Sequence, residues 1–151
     1  MTKKVLTIQD ISCFGQCSLT VALPLISACG VETVILPGAV LSTHTAGFKN
    51  YTFCDLSDEF PKIENSWKRE KLQFDAFYTG YVCPGQIESI LSIFASCAAP
   101  GALRIVDPVM ADNGRLYPGF NADFPQMMKK LCVGADCILP NLTEAAFLLM
   151  V

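Results

Sequence analysis

The chain has 151 residues, enough for one domain that buries a sizeable core, and 52% of them are apolar against 17% charged. The net charge is −3 and the densest basic stretch is Lys68-Arg-Glu-Lys71, which excludes a nucleic-acid footprint. Residues 11–31 carry no charge, but Ser12, Gln16, Ser18, Thr20, Pro24, Ser27 and Gly30 dilute the run, so a helix packed on a sheet accounts for it better than a membrane span.

The eight cysteines form no CxxC pair, and His44 is the one histidine, so a zinc site of ordinary spacing is not expected. Several cysteines fall inside apolar periodic segments, where a free thiol acts as a small hydrophobe. That usage predicts a reducing, cytoplasmic setting. The N-terminal apolar run is interrupted by Gln9 and Asp10, unlike a signal peptide.

Lys3 to Gln9 reads as a first strand, closed by Asp10. A helix follows over about Gln16 to Cys29, stopped by Gly30 and kinked at Pro24. Val31 to Leu36 reads as a second strand ended by Pro37-Gly38, and Val40 to Phe48 as a lid or edge strand. Asp55 to Leu72 carries acids early and bases late, as a helix dipole favours, with Pro61 marking a first turn or a break. Phe74 to Thr79 is a third strand closed by Gly80-Tyr81, and Pro84-Gly85 opens a helix with Ile87, Ile90, Leu91 and Phe94 at helical spacing.

Leu103 to Val106 is a short β-branched run that ends in Asp107-Pro108. A carboxylate there is costly unless paired or bound to a cation, and proline cannot extend the ladder. Asp112-Asn-Gly-Arg is a turn in which Gly114 takes positive φ. Asn121 to Leu131 is an amphipathic helix, Asp136 to Leu139 a fifth strand, and Asn141 starts a helix that runs apolar to Val151.

Strands alternating with helical patterns predict an α/β fold built on a mostly parallel sheet flanked by helices. Polar or aromatic groups then recur at strand ends: Asp10, Tyr81, Asp107, and Asn141 with Glu144. In a right-handed parallel sheet these ends share one edge, where ligands bind. Asp107, Asp112, Asn141 and Glu144 are oxygen donors of the kind Mg²⁺ takes beside a nucleotide phosphate. The helix opening after Asn141 adds N–H groups suited to an anion. Asn141 and Glu144 would equally serve as a helix cap, and Tyr81 as a core aromatic with its hydroxyl at the surface. No GxGxxG, GxxxxGK[ST] or GxSxG motif is present.

Five segments in order carry a resemblance: Ile8-Gln9, Leu41-Ser-Thr-His44-Thr45-Ala-Gly-Phe48, Thr79-Gly80-Tyr81, Val106-Asp107-Pro-Val-Met110 and Leu139-Pro-Asn141-Leu-Thr-Glu144. Together they resemble the N-terminal half of pyridoxal kinases in the ribokinase-like (Rossmann-like) superfamily. Asp-Pro-Val-Met also suits hydroxymethylpyrimidine kinases, but the Leu41 to Phe48 segment matches pyridoxal kinases better. The resemblance implies that Asp10, Thr45 and Tyr81 line the pocket for a B6 vitamer, with His44 beside them. It implies that Asp107, Asp112, Leu139, Asn141 and Glu144 surround ATP, with Asp107 and Glu144 toward Mg²⁺. The implied reaction is transfer of the ATP γ-phosphoryl group to the 5′-hydroxymethyl of the vitamer, and the implied assembly a homodimer.

Two departures matter. Asp10 stands where many pyridoxal kinases have serine, which predicts a preference for an amine-bearing or protonated ring, with pyridoxamine or pyridoxine as the better substrate. The chain is also about half a family member's length and lacks the Gly-rich loop with the general-base aspartate. It is therefore expected to be the N-terminal portion of one kinase domain, inactive alone, with an apolar face left exposed where further strands would pack. A vitamin-binding remnant without transfer is the alternative of another class.

Overall fold

The computed structural model describes residues 2–150. The elements in order are β1 (Lys4–Ser12), α1 (Leu19–Ala28), β2 (Glu32–Leu41), β3 (Phe53–Asp55), α2 (Phe60–Arg69), β4 (Phe74–Thr79), α3 (Ile87–Ser96), β5 (Ala98–Val106), the short pair β6 (Ala111–Asp112) and β7 (Arg115–Leu116), α4 (Phe124–Cys132), β8 (Cys137–Ile138) and α5 (Leu142–Leu149). Turns of 3₁₀ helix over Ser57–Glu59 and Pro84–Gln86 lead into α2 and α3. Six strands form one sheet in the order β3-β2-β1-β4-β5-β8, all neighbours parallel except β3, which runs antiparallel to β2. This is the mostly parallel, helix-flanked sheet that the alternation of patterns predicts.

One face of the sheet carries the main core. Leu6, Ile8, Leu36, Phe77 and Val106 meet Phe60 from α2, Ile90 and Phe94 from α3, and Phe124 and Met128 from α4, each no more than 2% exposed. Burying side chains of this size contributes roughly 1.5–3 kcal/mol each. Helix α1 packs on β1 and β2 through Leu19 and Ala22, outside that cluster.

Several bounds differ from the sequence reading, each for a physical reason. Strand β1 continues past Asp10 to Ser12, so Asp10 lies inside the strand and not beyond it. Strand β2 runs through Pro37-Gly38 to Leu41, because the ladder absorbs the proline with a bulge. Gln9 pairs with Pro37 and Ile11 with Val40, which leaves Gly38 and Ala39 together opposite Asp10. The edge strand is Phe53–Asp55, and residues 42–50 form a loop, so the expected lid over Val40 to Phe48 is split between β2 and that loop. Helix α1 starts at Leu19, three residues later than expected, with Pro24 inside it. Pro61 falls in the first turn of α2, where its missing N–H has no helical acceptor to lose. Strand β5 begins at Ala98, and its early, small-residue part is joined to the apolar run across a register shift.

Strand β8 is a two-residue edge whose outer side has no strand partner among the described residues. Beside it, Ile138, Leu139, Leu142 and Leu149 are 44–92% exposed. All eight cysteines are free, and among the described residues no helix is long and apolar enough to cross a membrane.

Candidate active site

Strand order reverses at β1: the chain leaves it toward β2 and later returns on its other side as β4. The crevice above such a switch point is where open α/β sheets bind ligands. Asp10 near the carboxyl end of β1 and Tyr81 just past β4 flank it.

A cleft opens at that place, with about 450 Å³ of empty space including its mouth. Asp10, His44, Thr45 and Tyr81, the four residues singled out for the vitamer, all line it. Asp10 is 5% exposed, and the Ser12 hydroxyl donates to its Oδ2 at 3.1 Å. The bulge in β2 lies directly opposite Asp10. Tyr81 is half-buried and its ring lies 5.4 Å from that of Phe120. Burial first, then the charges of Cys83 and Asp10, push its phenol well above the usual range, so it is a neutral donor at any physiological pH.

His44 reaches the cleft because the 42–50 loop is pinned to the end of β1. Phe14 N–H donates to Ser42 O at 3.1 Å and His44 N–H to Phe14 O at 3.1 Å. The imidazole then packs edge-on to Phe48, with ring centres 5.1 Å apart. It also lies on Gly15, where φ is +97° and an added Cβ would stand 2.1 Å from His44 Cδ2. Gly15→Ala is therefore expected to cost about 1–2 kcal/mol of stability and to displace the imidazole. Denaturant unfolding and the His44 ring resonances check this; an unmoved ring would refute the packing argument.

The sequence reading missed other walls of the cleft: Ser12, Cys17, Ser18, Leu41, Val109 and Tyr117. Tyr117 is the informative one. Its phenol is raised by burial and then by Asp112, Glu144 and Asp107, so it stands between the cleft and the acidic groups after β5. Its place shortly after the Asp112 turn was the only available signal.

The second group of residues gathers where β5 ends. Asp107 is half-buried, and its N–H donates to Thr79 O at 2.9 Å, tying the turn after β5 to β4. Burial, then the charge of Glu144, pushes its carboxyl up to about 6. Glu144 is 3% exposed; its Oε1 accepts from Met110 N–H at 3.1 Å and its Oε2 from Asn141 N–H at 2.9 Å. Asn141 Oδ1 accepts from Glu144 N–H at 2.9 Å and Asn141 Nδ2 donates to Ala111 O at 2.8 Å. The helix-cap reading of Asn141 and Glu144 thus holds, as a full capping box on α5.

Asp112 closes the β6–β7 turn, accepting from Asn113 N–H and side chain, with Asn113 and Gly114 both at positive φ. Thr143 on α5 accepts from Gly114 N–H at 3.0 Å and holds that turn beside the helix start. Leu139 is bonded through its N–H to Val106 O, and its side chain is half-exposed.

Among the described residues no three His, Cys, Asp or Glu side chains form a metal cluster. The donor set still suits a hard cation: burial, and then the negative charge of Glu144, hold the Asp107 carboxyl above its usual range, and a cation would relieve both. Mg²⁺ commonly takes one or two carboxylates and completes its shell with water and substrate phosphates. Glu144 would meet it only with lone pairs left over from its two N–H bonds.

No family model matches the chain. A candidate pyridoxal kinase of Schizosaccharomyces pombe is 29% identical over 97% of this chain and 48% of its own length. The crystal structure of a candidate phosphomethylpyrimidine kinase from Bacteroides thetaiotaomicron, in a form with pyridoxal, matches at TM-score 0.94 and 43% identity over 99% of this chain and 52% of that one. The crystal structure of a pyridoxal kinase from Lactobacillus plantarum matches at TM-score 0.91 and 38% identity, over 98% of this chain and 53% of that one. The chain spans about half the length of the relatives it matches. In sequence and fold together the chain is similar to pyridoxal kinases and phosphomethylpyrimidine kinases, whose mostly parallel, helix-flanked sheet it carries over about half their length.

Proposed function

We propose that the chain forms the vitamer pocket and part of the nucleotide site of an ATP-dependent pyridoxal kinase, which transfers the γ-phosphoryl group to the 5′-hydroxymethyl of a B6 vitamer. The observation that carries this reading is the meeting of Asp10, His44, Thr45 and Tyr81, distant in sequence, in one cleft at the switch point. The relative with pyridoxal in its crystals, similar over nearly the whole chain, supports it. Free thiols throughout suit a reducing compartment, so the reading places the enzyme in the cytoplasm.

In this reading each group has a limited task. Tyr81, held neutral, offers its hydroxyl and a ring face to the pyridine. Asp10 supplies a fixed negative charge beside the ring, steadied by Ser12. Asp107, with Glu144 behind it, would hold Mg²⁺, which draws charge from the phosphates of ATP when bound. Phosphoryl transfer depends mostly on positioning and charge stabilisation, which such a site supplies. In this reading none of these groups is assigned as the base that takes the hydroxymethyl proton.

The test is calorimetric titration of the 151-residue chain with pyridoxal, pyridoxamine and hydroxymethylpyrimidine, then a turnover assay with Mg-ATP. Saturable vitamer binding, with the pyrimidine weaker, is the expected result. The same titration on Asp10→Ser should lower the preference for pyridoxamine over pyridoxal about threefold, as loss of one partly screened ion pair does. Tighter binding of the pyrimidine would move the assignment to phosphomethylpyrimidine kinases, the description carried by the Bacteroides relative. Vitamer binding without turnover would leave open whether the catalytic base comes from elsewhere or the pocket is a binding remnant; adding the other half of a relative in trans separates the two.

A further inference from the structure

A second cavity adjoins the Asp10 cleft and shares Thr45 and Tyr81 as its wall. Its other walls include Tyr51, Phe53, Cys83 and Phe120, with Asp55 as the one charged side chain lining it. Aromatic faces with a carboxylate and no basic group are the chemistry that accepts a cation.

Asp55 is held in place with half its carboxylate spare. Its Oδ1 accepts from Ser57 N–H at 2.8 Å, from the Ser57 hydroxyl, and from Gln86 Nε2 at 3.4 Å. No protein donor meets its Oδ2 among the described hydrogen bonds. Gln86 is fully buried; its Nε2 also donates to Gly38 O at 2.7 Å and its Oε1 accepts from Cys83 N–H at 2.9 Å. One amide thus fixes the end of β3, the wall of the cavity and the β2 bulge opposite Asp10. The fields of Asp55 and Asp10 overlap between the two cavities: after burial, these two charges push the Cys83 thiol up to about 12.

We propose that this second cavity is a cation-accepting subsite of the vitamer site, in which Asp55 and the surrounding rings select a vitamer bearing a protonated amine over one bearing a neutral hydroxymethyl group. The inference rests on the vitamer-binding reading above and adds to it a residue, Asp55, that sets specificity. Asp10 is the charge beside the ring, and Asp55 is the charge on the far side of Tyr81 and Thr45 that the ammonium group approaches.

The experiment compares pyridoxamine and pyridoxine binding to the wild-type chain, Asp55→Asn and Asp58→Asn by calorimetry. Asparagine at position 55 keeps an oxygen acceptor for Ser57 N–H, so the fold is preserved. Asp58 is exposed one turn away and outside the cavity walls, and controls for net charge. Asp55→Asn should weaken pyridoxamine about threefold to fivefold, the effect of a solvent-screened ion pair, and leave pyridoxine unchanged; Asp58→Asn should change neither. An unchanged pyridoxamine-to-pyridoxine ratio in Asp55→Asn, whether both ligands hold or both weaken, overturns the subsite while the vitamer pocket stands. Failure of the wild-type chain to bind either vitamer overturns the pocket itself, and the subsite with it.

Discussion

Glu144→Ala is expected to lower stability by about 3 kcal/mol and the melting temperature by roughly 6–12 °C. The carboxylate serves two chain segments at once. Its Oε1 takes the N–H of Met110, a residue with no exposed surface, and its Oε2 takes the N–H of Asn141 at the start of α5. Alanine leaves both donors without partners, the first of them buried, at about 1–3 kcal/mol for that group. Loss of the capping box costs about 1 kcal/mol more. Part of the loss is offset, because Asp107 no longer faces a second charge. Glu144→Gln should fall between, since the amide keeps one acceptor while removing the repulsion. Thermal unfolding followed by circular dichroism decides the matter. An alanine variant that melts within about 2 °C of wild type would show that water replaces the carboxylate, and that the turn after β5 does not depend on it.

How much of this was legible in the sequence varies by element, and the reasons are physical. Phe74–Thr79 was read with its bounds intact, because a β-branched and aromatic run meets a Gly at its end. Strand β2 was cut short at Pro37, because a missing N–H signals a stop unless a bulge absorbs it, and a bulge depends on the neighbouring strand's register. The start of β5 was missed because Ala98-Ala-Pro-Gly101 lacks strand composition and Gly101 has φ of +75°; pairing of Ala98 with Phe74 places it in the sheet. Strand β3 is three exposed residues fixed by β2, with nothing local to announce it.

The site divides the same way. Asp10 and Tyr81 could be picked out because resemblance and strand-end position pointed at them together, whereas His44 and Thr45 came from the resemblance alone. Asp10 was placed beyond the strand, since the pairing of Ile11 and Ser12 with β2 that extends β1 past it is a tertiary feature. Tyr117 and Cys17 reach the cleft from loops and carry no periodic signature. Asn141 and Glu144 were legible twice over, as a cap and as ligands, and the cap is what the hydrogen bonds display. The two roles are compatible, because a carboxylate that accepts two N–H bonds still has lone pairs to offer.

Asp107→Asn is expected to raise stability near neutral pH and to abolish stabilisation by Mg²⁺. In the fold, burial and then Glu144 lift the Asp107 carboxyl from 3.8 to about 6. A carboxyl raised above its unfolded value binds its proton more tightly in the folded state. Its contribution is therefore fully present below about pH 4 and lost as the pH rises through about 6. Two pK steps would correspond to about 3 kcal/mol, but Asp107 is only half-buried, and solvent screening reduces this to roughly 1–2 kcal/mol. Asparagine has no charge to bury, so the variant should match wild type near pH 4 and exceed it by that amount near pH 8. Mg²⁺ reverses the comparison: a cation beside Asp107 and Glu144 removes the repulsion, so wild type should gain stability on titration with Mg²⁺ near pH 8 and the variant should not. Denaturant unfolding at the two pH values, with and without Mg²⁺, checks both halves. A variant less stable than wild type near pH 8 would mean that the Asp107 carboxylate is held by donors that outweigh its burial. A Mg²⁺ effect that survives the substitution would move the cation away from the end of β5.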